Sequence, residues 1–123
     1  MKKILIIDDE EIVTKSIKKL LVKNKFEVQT ANSGHEALEM AKKEKFDLII
    51  ADIRMPGING VDTIKNIYKI LEKKNKEITP AIFITGYVNE EIEKSAQELK
   101  PVAYIYKPFD ISELVEKIKQ ILK

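Results

Sequence analysis

The stretch Leu48-Ile49-Ile50-Ala51-Asp52 constrains this chain more than any other. Four consecutive apolar residues, two of them β-branched, suit a strand covered on both faces, as in a parallel sheet under helices. The run stops on a carboxylate, and Met55-Pro56-Gly57 then turns the chain. A carboxylate at the carboxyl end of a buried strand stands on the rim where open α/β sheets hold their ligands. Taken alone, such an acid is more often an ordinary surface residue.

Other strand ends change that reading. Ile4-Leu5-Ile6-Ile7 stops at Asp8-Asp9, and Ala81-Ile82-Phe83-Ile84, opened by Pro80, stops at Thr85-Gly86. Val102-Ala103-Tyr104-Ile105 leads through Tyr106 into Lys107-Pro108-Phe109. Phe26-Glu27-Val28-Gln29-Thr30 alternates instead, as a half-exposed strand at a sheet edge does. Between the strands the apolar period lengthens to that of a helix. Ile12, Val13, Ile17, Leu20 and Leu21 are expected on one helical face. Ser33 with Glu36 forms a capping box before Ala37, Leu38 and Ala41. Asn59 is a cap for a helix bearing Val61, Ile64, Ile67, Tyr68 and Leu71. The segment from Asn89 to Leu99 has only Ile92, Ala96 and Leu99 to bury and is the thinnest of the helices. Asp110 caps the last, with Ile111, Leu114, Val115, Ile118, Ile121 and Leu122. Five strands alternating with five helices specify an α/β fold: a doubly wound, five-stranded parallel sheet over residues 1–123.

Charge and composition exclude several functions. With 22 basic and 20 acidic residues the net charge is +2, so no strong field points to nucleic acid and no direct nucleic-acid binding is expected. Lys73-Lys74 reads as a solvated helix end. The absence of cysteine excludes disulfides and thiolate metal sites and agrees with a cytoplasmic location. Met1-Lys2-Lys3 resembles the start of a signal peptide, but the apolar run ends after Ile7, too short for that or for membrane insertion. His35, the only histidine, sits in the first turn of a helix and reads as a surface residue. Glu10-Glu11 reads as favourable charge at a helix N-terminus.

In a parallel sheet the carboxyl ends of the strands share one edge. Asp8, Asp9 and Asp52 crowded there repel one another unless a cation lies among them. Oxygen ligands without Cys or a nearby His favour Mg²⁺. Lys107 adds a positive charge and Thr85 a hydroxyl, which together describe a seat for a phosphoryl group. Carboxylates can serve as nucleophiles that form aspartyl phosphates.

Asp8-Asp9, Asp52 with Met55-Pro56-Gly57, Thr85-Gly86 and Lys107-Pro108-Phe109, in this order and spacing, resemble the receiver domain of bacterial two-component response regulators. The resemblance covers essentially the whole chain. It implies a flavodoxin-like sheet of order 2-1-3-4-5, with the alternating Phe26–Thr30 strand at an edge. It implies that Asp52 accepts a phosphoryl group from a sensor histidine kinase or phosphotransfer protein in a Mg²⁺-dependent reaction, and is not a turnover enzyme beyond its own slow dephosphorylation. Asp9 would bind Mg²⁺ directly, Asp8 directly or through water, and the backbone carbonyl of Arg54 would complete the protein ligands. Thr85 and Lys107 would bind phosphoryl oxygens, and Lys107–Pro108 would be cis. Tyr104 would be the aromatic that moves with Thr85, in preference to Tyr106 on the same strand face. The implied output is a surface of the fourth helix, fifth strand and fifth helix, acting on a downstream effector or a fused output domain, with a weak dimer on phosphorylation. Lys123 follows the last helix directly, which suits a stand-alone receiver or a domain of a longer regulator.

Departures from the family pattern are few. Pro101 stands in a turn that more often holds glycine, and touches no chemistry. Arg54 and Tyr87, two residues beyond Asp52 and Thr85, are bulky and unsuited to orienting water, so slow loss of the phosphoryl group is expected. A haloacid-dehalogenase-type phosphatase would need a second acid where Arg54 stands. A flavodoxin-like cofactor binder would need a Ser/Thr-rich loop where Asp8-Asp9 stand. A degenerate receiver acting only as a binding module would not need the full set of Asp8, Asp9, Asp52, Thr85 and Lys107.

Overall fold

The computed structural model describes all 123 residues, Met1–Lys123. Strands β1 (Lys3–Ile7), β2 (Glu27–Ala31), β3 (Leu48–Asp52), β4 (Ala81–Thr85) and β5 (Ala103–Tyr106) alternate with helices α1 (Glu11–Lys23), α2 (Gly34–Lys43), α3 (Gly60–Lys73), α4 (Glu90–Glu98) and α5 (Ile111–Ile121). The strands form one parallel sheet in the order β2-β1-β3-β4-β5, so the alternating strand lies at an edge and the continuous apolar runs lie inside. Every residue of β3 and β4 is buried, whereas β2 shows the mixed pattern of an edge.

Strand alternation sends successive side chains to opposite faces. Leu5, Ile7, Ile49, Ala51, Ala81 and Phe83 join the core on the face with Ala37, Ile64, Ile67 and Ala96, from α2, α3 and α4. Ile4, Ile6, Leu48, Ile50, Ile82 and Ile84 join the opposite core with Ile17, Leu21, Leu114, Val115 and Ile118, from α1 and α5. Each large side chain fully withdrawn from water contributes about 1.5–3 kcal/mol relative to exposure. These two cores hold the sheet between helices and carry its charged edge.

The caps at Ser33, Asn59, Asn89 and Asp110 are all made, each side chain accepting a hydrogen bond from an amide of the first turn. Two details differ from the periodic reading. Ile12 is 83% exposed, because the inward face of α1 is Thr14, Ile17 and Leu21, and Ile12 lies about 140° round the helix from Ile17. Thr14 takes the inward place because its hydroxyl donates to the Glu10 carbonyl at 3.1 Å, so no polar group is left unsatisfied. The last strand begins at Ala103 rather than Val102, which is exposed; Lys100 beside it takes the left-handed φ of +54° that turns the chain out of α4 ahead of Pro101.

The junction of β3 and α3 positions the site most tightly. The Gly60 amide donates to the Ile53 carbonyl at 2.8 Å, laying the start of α3 directly against the end of β3. A Cβ at Gly60 would stand 2.1 Å from the Asp52 carbonyl oxygen, a backbone atom that cannot yield. Gly60→Ala is therefore expected to destabilise the fold by about 1–3 kcal/mol, the usual range for overpacking, as measured by urea unfolding. Wild-type stability in that variant would show that the β3–α3 junction is looser than described here.

Candidate functional site

Ladder hydrogen bonds carry the strand register past the strand ends and fix the functional residues. The Asp8 amide donates to the Ala31 carbonyl at 3.1 Å, Ile53 to Ile84 at 3.1 Å, and Lys107 to Thr85 at 2.8 Å. Asp8, Asp52, Thr85 and Lys107 thus meet along one edge, as their places in the sequence predict. Lys107–Pro108 is cis, as the family resemblance implies.

Lys107 is the centre of the group. Its Nζ lies 2.9 Å from Glu10 Oε1, 3.5 Å from Asp52 Oδ2 and 3.7 Å from Asp8 Oδ2. Asp8 and Asp52 are almost wholly buried, with side-chain exposures of 5% and 4%, while Glu10 is 58% exposed. Burial, followed by the charge of Asp8, pushes the Asp52 carboxyl up to about 7 against the pull of Lys107. Burial also raises Asp8, although the Glu10 amide, which donates to Asp8 Oδ1 at 2.9 Å, and Lys107 oppose it. Burial alone would lower Lys107; the hydrogen bond to Glu10 and the charges of Asp52 and Asp8 hold it above its usual value, so it is an ammonium at neutral pH.

One carboxylate oxygen from each of Asp8, Glu10 and Asp52 lies within 4.8 Å of the others. Three oxygen donors in partly desolvated, mutually repelling positions fit a hard divalent cation such as Mg²⁺. Asp9, expected as a direct ligand, is exposed and stands outside this group, and Glu10 is turned in instead. Reading Glu10 merely as helix-end charge missed its ion pair with Lys107. A signal was present: α1 starts directly after Glu10, and glutamate at that position caps poorly and is free for other work.

Thr85 is fully buried, but its hydroxyl is bound within its own loop, accepting from the Tyr87 amide at 3.0 Å. A cleft over the acids is lined by Glu10, Asp52, Arg54, Gly86, Tyr87 and Lys107. Across it the Arg54 guanidinium stacks on the Tyr87 ring, 4.5 Å from the centroid. Tyr104 packs against Phe83 and, edge-on, against Tyr106, with ring centroids 6.3 and 5.4 Å apart. Its hydroxyl is buried without a partner, whereas the exposed Tyr106 hydroxyl donates to Glu93. His35 is exposed, in keeping with its surface reading. A deeper pocket at the amino ends of the strands, over Phe46, Ile67 and Leu71, has no comparable cluster of acids.

The sequence matches the model of the response regulator receiver domain over residues 4–119. The chain belongs to that family. A CheY-like receiver domain protein from Methanospirillum hungatei JF-1 is similar, with a TM-score of 0.89 and 31% identity, covering 99% of this chain and 94% of that one. The response regulator TrrA of Thermotoga maritima, solved in complex with Mg²⁺-BeF, has a TM-score of 0.79 and 34% identity, with 98% and 99% covered. The transcriptional regulatory protein CpxR of Escherichia coli K12 is 35% identical over 123 residues, all of this chain and 50% of CpxR. This receiver spans about half the length of the curated relatives it matches. Receiver domains of this family are phospho-accepting signalling domains that bind Mg²⁺ at an aspartate cluster. No helix of this receiver is long and apolar enough to cross a membrane.

An acid whose folded-state pKa lies above its unfolded value binds more protons when folded, so it lowers stability as pH rises from the unfolded value of 3.8 towards about 7. In EDTA, wild-type stability is therefore expected to fall over that window. Asp52→Asn should flatten the fall and stabilise the metal-free receiver at pH 7 by about 1–3 kcal/mol. Thermal melts from pH 5 to 8 check this; parallel profiles for the two proteins would contradict the charge balance described.

Proposed function

We propose that residues 1–123 act as one receiver unit in which Asp52 is the phosphoacceptor, taking the group from a phosphohistidine on a sensor kinase or phosphotransfer protein. The observation that carries this reading is the pairing of the buried Asp52 carboxylate with the Lys107 ammonium at 3.5 Å, beside two further acids. A carboxylate oxygen of Asp52 forms the new P–O bond as the donor's P–N bond breaks, and the leaving imidazole takes up a proton. Asp8 and Asp52, with the Arg54 backbone carbonyl and with Asp9 at the rim, would hold Mg²⁺. When bound, Mg²⁺ supplies charge neutralisation for the phosphoryl oxygens. Lys107 is already charged and already near Asp52, so it binds a phosphoryl oxygen without rearrangement of the backbone.

The switch follows from Thr85 and Tyr104. Thr85 turns its hydroxyl donation from the Tyr87 carbonyl, 3.3 Å away, to a phosphoryl oxygen, and Tyr104, whose buried hydroxyl lacks a partner, moves into the vacated space. Only the phosphorylated state gains that bond, so a differential interaction exists to shift a population. A hydrogen bond to a charged group contributes about 1.5–3 kcal/mol, whereas moving from 1:99 to 99:1 requires about 5.5 kcal/mol. Lys107, backbone amides and a partner on the surface of α4, β5 and α5 supply the remainder. That partner is a downstream effector or an output domain. The thin apolar stripe of α4, with Ala96 its only buried residue, makes this surface the one that opens at least cost.

Incubation with acetyl phosphate and Mg²⁺ is expected to add one phosphate, labile to alkali, to the wild type and none to Asp52→Asn. Full labelling in excess EDTA, or undiminished labelling of Asp52→Asn, would overturn the assignment. The labelled protein alone should show intermediate NMR shifts for residues 85–109, completed only by a partner.

The stacked pair of Arg54 and Tyr87 shields the acyl phosphate from water, which favours slow self-dephosphorylation. Tyr87→Ala removes one half of that lid and should speed loss of the label severalfold in a chase without donor. An unchanged or slower rate would sink the shielding idea.

A further inference from the structure

The nearest partner of Lys107 is neither acid expected to surround the phosphoryl group. It is Glu10, whose Oε1 lies 2.9 Å from Nζ, against 3.5 Å for Asp52 and 3.7 Å for Asp8. Glu10 occupies the N-cap of α1, yet its side chain makes no capping bond, and it reaches across to the end of β5 instead. Its backbone is held at both ends. The amide donates to Asp8 Oδ1 at 2.9 Å, and the carbonyl accepts from the Thr14 amide and hydroxyl, each at 3.1 Å. Only the side chain is free to move, and at 58% exposure it can leave for water with little desolvation penalty.

Its other neighbours drive it outward. The Asp8 and Asp52 carboxylates have oxygens within 4.8 Å of the Glu10 carboxylate, and both repel it. Lys107 is the only cation that holds it in place. A phosphoryl group arriving at Asp52 brings several anionic oxygens to the same ammonium and adds repulsion for Glu10. The Glu10 carboxylate and a phosphoryl oxygen, both anionic, compete for the same ammonium.

We propose that Glu10 is a built-in resting occupant of the anion seat on Lys107, a positioning residue that must swing out before a phosphoryl donor can engage. The proposal rests on the reading of Asp52 as phosphoacceptor and adds to it a threshold for anion entry. While seated, Glu10 keeps Lys107 aimed into the site and competes with weak anions. Donors that also contact Mg²⁺ and Asp52 displace it. Glu10 therefore disfavours adventitious anions more than a docked phosphodonor.

The test is titration of the intact chain with beryllofluoride at saturating Mg²⁺, with Mg²⁺ affinity measured separately so that loss of an acid near the metal is not mistaken for loss of the occupant. Glu10→Gln should tighten beryllofluoride binding about two- to fivefold, the range for an ion pair with an exposed carboxylate. Glu10→Asp, a methylene shorter and unable to reach Lys107, should also tighten it. Glu11→Gln changes a neighbouring charge that does not touch Lys107 and should match the wild type. All three should melt at wild-type temperature, so a change in anion affinity cannot come from damage to the fold. The half-saturating acetyl phosphate concentration should fall in Glu10→Gln. Unchanged or weaker beryllofluoride affinity in Glu10→Gln, or equal tightening by Glu11→Gln, would overturn the proposal. Failure of the wild type to take label at Asp52 would instead overturn the phosphoacceptor reading itself.

Discussion

A single ammonium among three carboxylates governs this molecule. Asp8 and Asp52 are withdrawn from water almost completely, and Lys107 is the only cation close enough to pair with either. Burying a charge without a partner costs several kcal/mol, so the carboxyl edge of the sheet tolerates these acids only because Lys107 is held there. Even so, compensation is incomplete, since burial and mutual repulsion leave Asp52 pushed up to about 7. Three acids share one ammonium, and none of them is fully compensated.

Holding that arrangement falls to the rest of the fold. Parallel strands present all their carboxyl ends on one edge, and the ladder bonds at Asp8, Ile53 and Lys107 extend the register into the loops that carry chemistry. Two cores, one on each face, supply the stabilisation that offsets the charged edge. The distribution is uneven. Strands β3 and β4, which end in Asp52 and Thr85, are buried throughout, while α4 buries little and β5 is only half covered. Rigid presentation of Asp52 and Thr85 and the weaker hold on α4 and β5 are two consequences of the same apolar distribution.

Sequence reading succeeded where the signal was local. The continuous apolar runs, the caps at Ser33, Asn59 and Asp110 and the helical stripe of α5 all lie where period and residue type put them, and the sheet order agrees with the family resemblance. It failed at Ile12, which shares the first turn with inward-facing Thr14 but lies about 140° round the helix from Ile17. It also failed at Thr14, whose polarity hides the backbone hydrogen bond that lets it face inward.

What the sequence by itself determined is the set of strand ends. Asp8, Asp52 and Thr85 each follow a run of apolar residues that suits a buried strand, Lys107 follows the half-covered β5, and a parallel sheet brings such ends together. What only the tertiary structure decided is which groups touch. Glu10 and Lys107 are 97 residues apart, and although a poorly capping Glu10 is left free, nothing in either neighbourhood names Lys107 as its partner. Nor does spacing say that Arg54 lies on Tyr87, that Thr85 rests against its own loop, or that the Tyr104 hydroxyl is stranded. Those outcomes depend on side-chain rotamers chosen by packing and by competing charges at a few ångströms, distances set by the folded chain as a whole.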